Sequence, residues 1–154
     1  MASISIDQIK KLREQTGVGI TDAKAALVDA GGDYDKALAA MRKKGMVKAA
    51  KRAEREAQAG LIGTYSHDGR IGVVVEVNCE TDFVAKTDEF RDLVKDLTLQ
   101  ICSGDPANLD ELNSQEFIKD PSKTIGDIVK EANAKLGENI VVRRFERLAL
   151  NDAK

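Results

Sequence analysis

Only two cysteines, Cys79 and Cys102, occur in the chain, too few for a disulfide framework and at no zinc-ligand spacing. Both read as ordinary buried thiols. The one histidine, His67, falls in an expected hairpin turn and belongs to no legible nucleophile and base arrangement, so it is not read as catalytic. Tryptophan is absent. No apolar run approaches the ~20 residues needed to span a bilayer, and the amino-terminal segment MASISIDQIKKLREQTG lacks a signal peptide's apolar core. The expectation is a cytoplasmic protein with no membrane partner. There is no GxxxxGK[ST] motif, and Gly17-Val18-Gly19 lacks the third glycine and the preceding strand of a dinucleotide loop. Calcium-loop spacing is missing too. The carboxylate pairs Glu80 with Asp82 and Asp88 with Glu89 read as helix-start residues rather than as acid and base. An enzyme is therefore not expected, nor a cofactor or a bound metal.

What is present describes a chain that folds. Hydrophobic residues make up 42% and charged residues 32% of 154 positions, without the low hydrophobicity and high net charge of disorder. That length accommodates one ordinary domain, or a small module plus a compact core. A net charge of only -2 argues against a protein that coats nucleic acid, but the charge is uneven. From Met41 to Glu56 seven bases (Arg42, Lys43, Lys44, Lys48, Lys51, Arg52, Arg55) face two acids. A basic helix can bind RNA phosphate, yet no aromatic is interleaved for base stacking, and a solvated face on a linker helix is the simpler account.

Ser5 with Gln8 has capping-box spacing, and Ile6, Ile9 and Leu12 follow at helical intervals until Thr16 and Gly17. Thr21 is expected to cap a second helix with Ala23, Leu27 and Ala30 inward, ended by Gly31-Gly32. Asp33 caps a third, in which Tyr34, Ala37, Leu38 and Met41 share a face before Gly45. The expected domains are thus a three-helix bundle over 1–45, a helical linker over 46–59, and an α+β core over 60–154. A bundle this small is marginal alone and suits an appended docking module.

In the core, Leu61 to Ser66 and Ile71 to Asn78 flank an Asp68-Gly69 hairpin signal. Phe90, Leu93, Val94, Leu97 and Ile101 trace one apolar stripe, predicting a helix from Asp88 to Cys102 laid on that hairpin. A short helix is expected around Glu111 to Ile118. Thr124 with Asp127 opens a further helix running to Gly137, and Ile140 to Leu148 closes the chain as a strand. The fold class is α+β: the bundle, then a three-stranded antiparallel sheet with helices on one side. Between the second strand and the Phe90 helix lies Thr81-Asp82-Phe83-Val84, expected as a loop. Spacing allows two accounts of it. Phe83 and Val84 tuck under the sheet while Asp82 caps a turn, or the aromatic beside an acid anchors a partner's pocket.

The string Glu76-Val77-Asn78-Cys79-Glu80-Thr81-Asp82-Phe83-Val84-Ala85-Lys86 resembles the signature of the elongation factor Ts family. Leu12-Arg13-Glu14-Gln15-Thr16-Gly17-Val18-Gly19-Ile20 with Asp22 to Leu27 resembles the family's amino-terminal domain, and Pro121 to Gly126 and Gly137 to Ile140 resemble later segments. The resemblance implies guanine nucleotide exchange on elongation factor Tu in translation elongation. It implies an amino-terminal domain similar to ubiquitin-associated (UBA) domains that docks on the GTPase, with Arg13, Val18, Gly19, Ile20 and Lys24 as contacts. Thr81, Asp82, Phe83 and Val84 would dislodge the Mg2+ that holds GDP. Longer members carry two core halves and an inserted helical hairpin, whereas this chain has one half and no such hairpin. A homodimer that replaces the missing half is the corresponding expectation. The rival reading is an RNA- or ribosome-associated adaptor using the basic helix 41–56.

Overall fold

The computed structural model describes residues 3–16 and 18–152. The chain divides into two units, one ending at Ala53 and the other beginning at Glu54.

The first unit consists of helices α1 (Ile6–Thr16), α2 (Ile20–Asp29) and α3 (Tyr34–Ala53). Helix α1 opens with the expected capping box: the Ser5 hydroxyl accepts from the Gln8 N–H at 3.1 Å while the Gln8 side chain accepts from the Ser5 N–H at 3.0 Å. Gly17, expected to help stop α1, lies outside the described residues. Helix α2 departs from expectation at its start. Extended Gly19 is its N-cap without any side-chain bond, and Thr21 lies inside the helix. The Gly19 carbonyl already accepts from the Ala23 N–H at 3.0 Å, so the first turn closes two residues before a threonine cap at position 21 would allow. Gly31 and Gly32 end α2 with positive φ, and the Asp33 carboxylate accepts from the Lys36 N–H at the start of α3. Leu12, Ala23, Leu27, Ala37 and Met41 form the buried core of this unit.

Helix α3 does not stop at Gly45. Glycine in a helix interior costs about 1 kcal/mol relative to alanine, too little to end a run whose neighbours on both sides are Lys, Arg, Met and Ala. The region expected as a separate linker helix over 46–59 is the end of α3 as far as Ala53, then a non-helical stretch in which Ala57 is buried.

The second unit is built on strands β1 (Ala59–His67), β2 (Ile71–Cys79) and β5 (Val141–Ala149), antiparallel in the order β1-β2-β5. Asp68 and Gly69 take φ of 52° and 66°, the two left-handed residues of a tight hairpin turn. Alternation along β2 turns Val73, Val75, Val77 and Cys79 to one side. There they meet Phe90, Leu93, Val94, Leu97 and Ile101 of α5 (Asp88–Gly104), the whole of the expected stripe. The one-turn helix α4 (Asp82–Ala85) precedes α5.

Helix α6 (Leu109–Ser114) begins and ends earlier than expected because Asn108 caps it, accepting from the Glu111 N–H at 2.9 Å. A small hairpin of β3 (Glu116–Phe117) and β4 (Asp120–Thr124) follows, which the sequence reading did not anticipate. Buried Gln100 of α5 holds it by donating to the Glu116 carbonyl and accepting from the Ile118 N–H, both at 3.1 Å. The Thr124 and Asp127 capping box starts α7 (Ile125–Leu136), and left-handed Gly137 ends it.

Two tests follow from this packing. Gly60 has φ of 143°, and a Cβ there would stand 2.0 Å from the Val77 carbonyl oxygen, whereas a Cβ at Gly72 would meet nothing within 4 Å. Urea unfolding of the core should show Gly60→Ala destabilised by at least about 2 kcal/mol and Gly72→Ala shifted by no more than about 0.5 kcal/mol. Cys79 is fully buried at the end of β2, and burial first, then the Glu138 carboxylate, pushes its thiol above the ordinary range. Iodoacetamide at pH 8 should therefore leave Cys79 unlabelled in the native protein and alkylate it in urea, as read by peptide mass.

Candidate partner-binding site

Strand β2 delivers the chain to Glu80 and Thr81 at the edge of the core. Thr81 is extended and caps α4, its hydroxyl accepting from the Val84 N–H at 3.4 Å. Thr87 caps the next helix by accepting from the Phe90 N–H at 3.3 Å, and its own hydroxyl donates to the Val84 carbonyl at 2.7 Å. The segment expected as a loop is thus a single helical turn held between two threonines. Thr81, not Asp82, is the cap. Ala85 is buried and Val84 packs against the core. These two inward positions leave Phe83 on the outer face, 89% exposed. Of the two accounts open from spacing, a phenylalanine tucked under the sheet is excluded.

The base of this turn is tied to the α7–β5 connection. One oxygen of Glu138 accepts from the N–H groups of Glu80 at 3.0 Å and Thr81 at 3.1 Å, and the other accepts from the Thr81 hydroxyl at 2.7 Å. In return the Glu80 carboxylate accepts from the Asn139 N–H at 2.8 Å. The Arg55 guanidinium stands 3.6 Å from Glu80, and the Arg55 carbonyl accepts from the Asn139 side-chain amide at 2.7 Å. Beneath them the Cys79 thiol donates to the Thr81 carbonyl at 3.2 Å. Glu80, Glu138, Asn139 and Arg55 were not singled out as site residues from the sequence. For Glu138 and Asn139 the local signal is the string Gly137-Glu138-Asn139-Ile140 following the α7 stop, and Glu80 lies within the Glu76 to Lys86 string.

The second set of candidates belongs to the first unit. Arg13 is exposed in the last turn of α1, Val18 is half-buried against the bundle core, and Gly19, Ile20 and Lys24 are exposed at the start of α2. Ile20 and Lys24 are one turn apart and share a face. All five surround the α1–α2 connection. The basic stretch is exposed from Arg42 through Lys51, with Met46 and Val47 also open to solvent.

Among the described residues, no group of three or more His, Cys, Asp or Glu side chains is placed to hold a metal ion. None of the described helices is long and apolar enough to cross a membrane. What the α4 turn offers is an exposed aromatic ring on a fixed backbone, flanked by Asp82.

The family model for Elongation factor TS matches residues 80–154, which include α4 and its ties to Glu138. Among curated relatives, an elongation factor Ts from Herpetosiphon aurantiacus is 45% identical, with 94% of this chain and 96% of that protein covered. One from Caldanaerobacter subterraneus subsp. tengcongensis is 43% identical, covering 94% of this chain and 95% of that protein. Those alignments, of 191 and 190 positions, are longer than this chain, so both relatives carry residues with no counterpart here. An elongation factor Ts from Clostridium kluyveri is 46% identical over 96% of this chain but only 49% of its own length, so the chain spans about half of that relative. Identity at this level along nearly the whole length, together with the matched core, establishes that the chain belongs to the elongation factor Ts family.

Proposed function

We propose that the chain is a guanine nucleotide exchange factor for elongation factor Tu, acting in the cytoplasm during translation elongation without bond-making chemistry of its own. The observation that carries this reading is the exposure of Phe83, a large apolar side chain left 89% open to solvent on a capped turn. Thr81, Asp82, Phe83 and Val84 enter the GTPase near its nucleotide and disturb the Mg2+ and phosphate site. Magnesium bridges phosphate oxygens to protein groups, so moving its supports removes much of the electrostatic hold on GDP. Exchange is then negative coupling between two ligands, and it is reciprocal: as the chain weakens GDP binding, GDP weakens binding of the chain by the same factor.

Burying one phenylalanine supplies roughly 1.5 to 3 kcal/mol, about 10- to 150-fold in an equilibrium constant. Further binding energy comes from the UBA-like bundle, docking through Arg13, Val18, Gly19, Ile20 and Lys24. Carrying both contacts on one chain raises the effective concentration of each for the other.

The outer face of the sheet supports the homodimer in this reading. By register Ile62, Val74 and Leu148 point away from α5, and Ile62 and Leu148 are 60% and 75% exposed. A second copy seated there would cover them. A specific observation also favours the RNA- or ribosome-associated adaptor: the basic stretch from Arg42 to Lys51 is exposed and carries no acidic residue.

Loss of fluorescent GDP from purified elongation factor Tu, with and without the chain, tests the main reading. Phe83→Ala should slow release about 10-fold or more at an unchanged fold, and a full release rate would count against the wedge. Lys24→Glu should raise the half-saturating concentration while leaving the maximal rate intact. Light scattering at micromolar concentration should give twice the chain mass; a fully active monomer removes the dimer. Salt-sensitive RNA binding, lost on charge reversal at Lys48, Lys51 and Arg52, would instead support the adaptor.

A further inference from the structure

We propose that Glu138 is a positioning residue for exchange, acting through Thr81 to hold the α4 turn so that Phe83 is presented outward. This rests on the exchange reading above and assigns a part in it to a residue that lies 57 positions beyond Thr81 in the chain.

A four-residue helix has almost no stability of its own, because nucleating one turn fixes several dihedral angles for a single hydrogen bond. An exposed phenylalanine adds nothing to hold it, since the free chain gains by letting such a side chain fold back. Orientation must therefore be imposed from outside the turn. The first three polar groups at its base are all committed to one carboxylate: the Glu80 N–H, the Thr81 N–H and the Thr81 hydroxyl. A hydroxyl has one proton and two lone pairs. With its proton donated to Glu138, Thr81 is left with lone pairs to offer, and one faces the Val84 N–H inside α4. Glu138 thus fixes which way the Thr81 cap points, while the inward packing of Val84 and Ala85 sets where the turn sits.

The carboxylate is itself held. Gly137, left-handed at φ 69°, turns the chain into position after α7, and Glu80 returns a bond to the Asn139 N–H at 2.8 Å. Arg55 lies beside Glu80, supplying positive charge where two carboxylates converge on one junction. The arrangement is reciprocal across two connections far apart in sequence. Charge-assisted bonds of this kind are shorter and stronger than neutral ones.

A bond network of this sort can also serve stability alone, so the test must separate the two. Fluorescent GDP release from elongation factor Tu, measured over a concentration series of the full-length chain, yields a maximal rate and a half-saturating concentration. Glu138→Ala should lower the maximal rate about tenfold, the order expected for losing charge-assisted bonds, with the half-saturating concentration unchanged. Glu138→Gln keeps an acceptor for the two backbone groups but not for the hydroxyl, and should fall between. It carries the same test if the alanine variant does not fold. The deciding comparison is the double variant: if Glu138 works through Phe83, adding Glu138→Ala to Phe83→Ala should slow release no further. Amide hydrogen exchange should show protection lost at Glu80 and Thr81 and retained at Val75 and Leu97. Full maximal rate in a folded Glu138 variant, or an effect that adds completely to that of Phe83→Ala, overturns the proposal. Unimpaired release by Phe83→Ala alone removes the wedge, and the purpose assigned to Glu138 with it, whereas no acceleration of release by the unaltered chain removes the exchange reading itself.

Discussion

The second unit depends on the burial of one face of β2. Val73, Val75, Val77 and Cys79 point together onto α5, and because side chains alternate strictly along a strand, a slip of one residue would turn all four to solvent. That penalty fixes which face of the central strand is turned to α5, and the pairing with β5 absorbs a register shift at Glu76 and Val77 without disturbing it. It also fixes where the strand ends, with Cys79 buried and Glu80 at the edge of the core. The position of the α4 turn is therefore set by hydrophobic packing, while its orientation is set by polar contacts to a different part of the chain.

These two kinds of constraint differ in how far they can be read from the chain. The hairpin, α5, α7 and β5 were legible because each is long enough for its periodicity to repeat, and because Asp68-Gly69, Thr124 with Asp127, and Gly137 mark their ends. The short pieces were not. A four-residue helix and the two-residue strand β3 contain only about one repeat of their pattern, so no periodicity can show, and Gln100, which holds β3, reads as one more polar residue on a helix. Gly45 misled because a propensity of about 1 kcal/mol is small against a long run of helix-forming neighbours. Thr21 misled because a backbone carbonyl two residues earlier closed the first turn.

For the site, the string around Phe83 stood out by resemblance, but spacing could not say which way the ring faces. Three consecutive apolar residues, Phe83, Val84 and Ala85, compete for the inward positions, and the two smaller ones occupy them. The Glu138 contacts were beyond sequence reasoning for a different cause. Their partners are 57 and 58 residues away, and a glutamate after a helix stop gives no hint of what it will meet.

The continuity of α3 through Gly45 bears on cooperativity. Beyond Met41 none of the described side chains of this helix is buried, so its second half is not anchored by apolar packing and carries a glycine that weakens it by about 1 kcal/mol. Local opening therefore costs less free energy toward Ala53 than in the turns that carry Ala37 and Met41, and α3 grades along its length from the stability of the bundle to that of a fraying helix end.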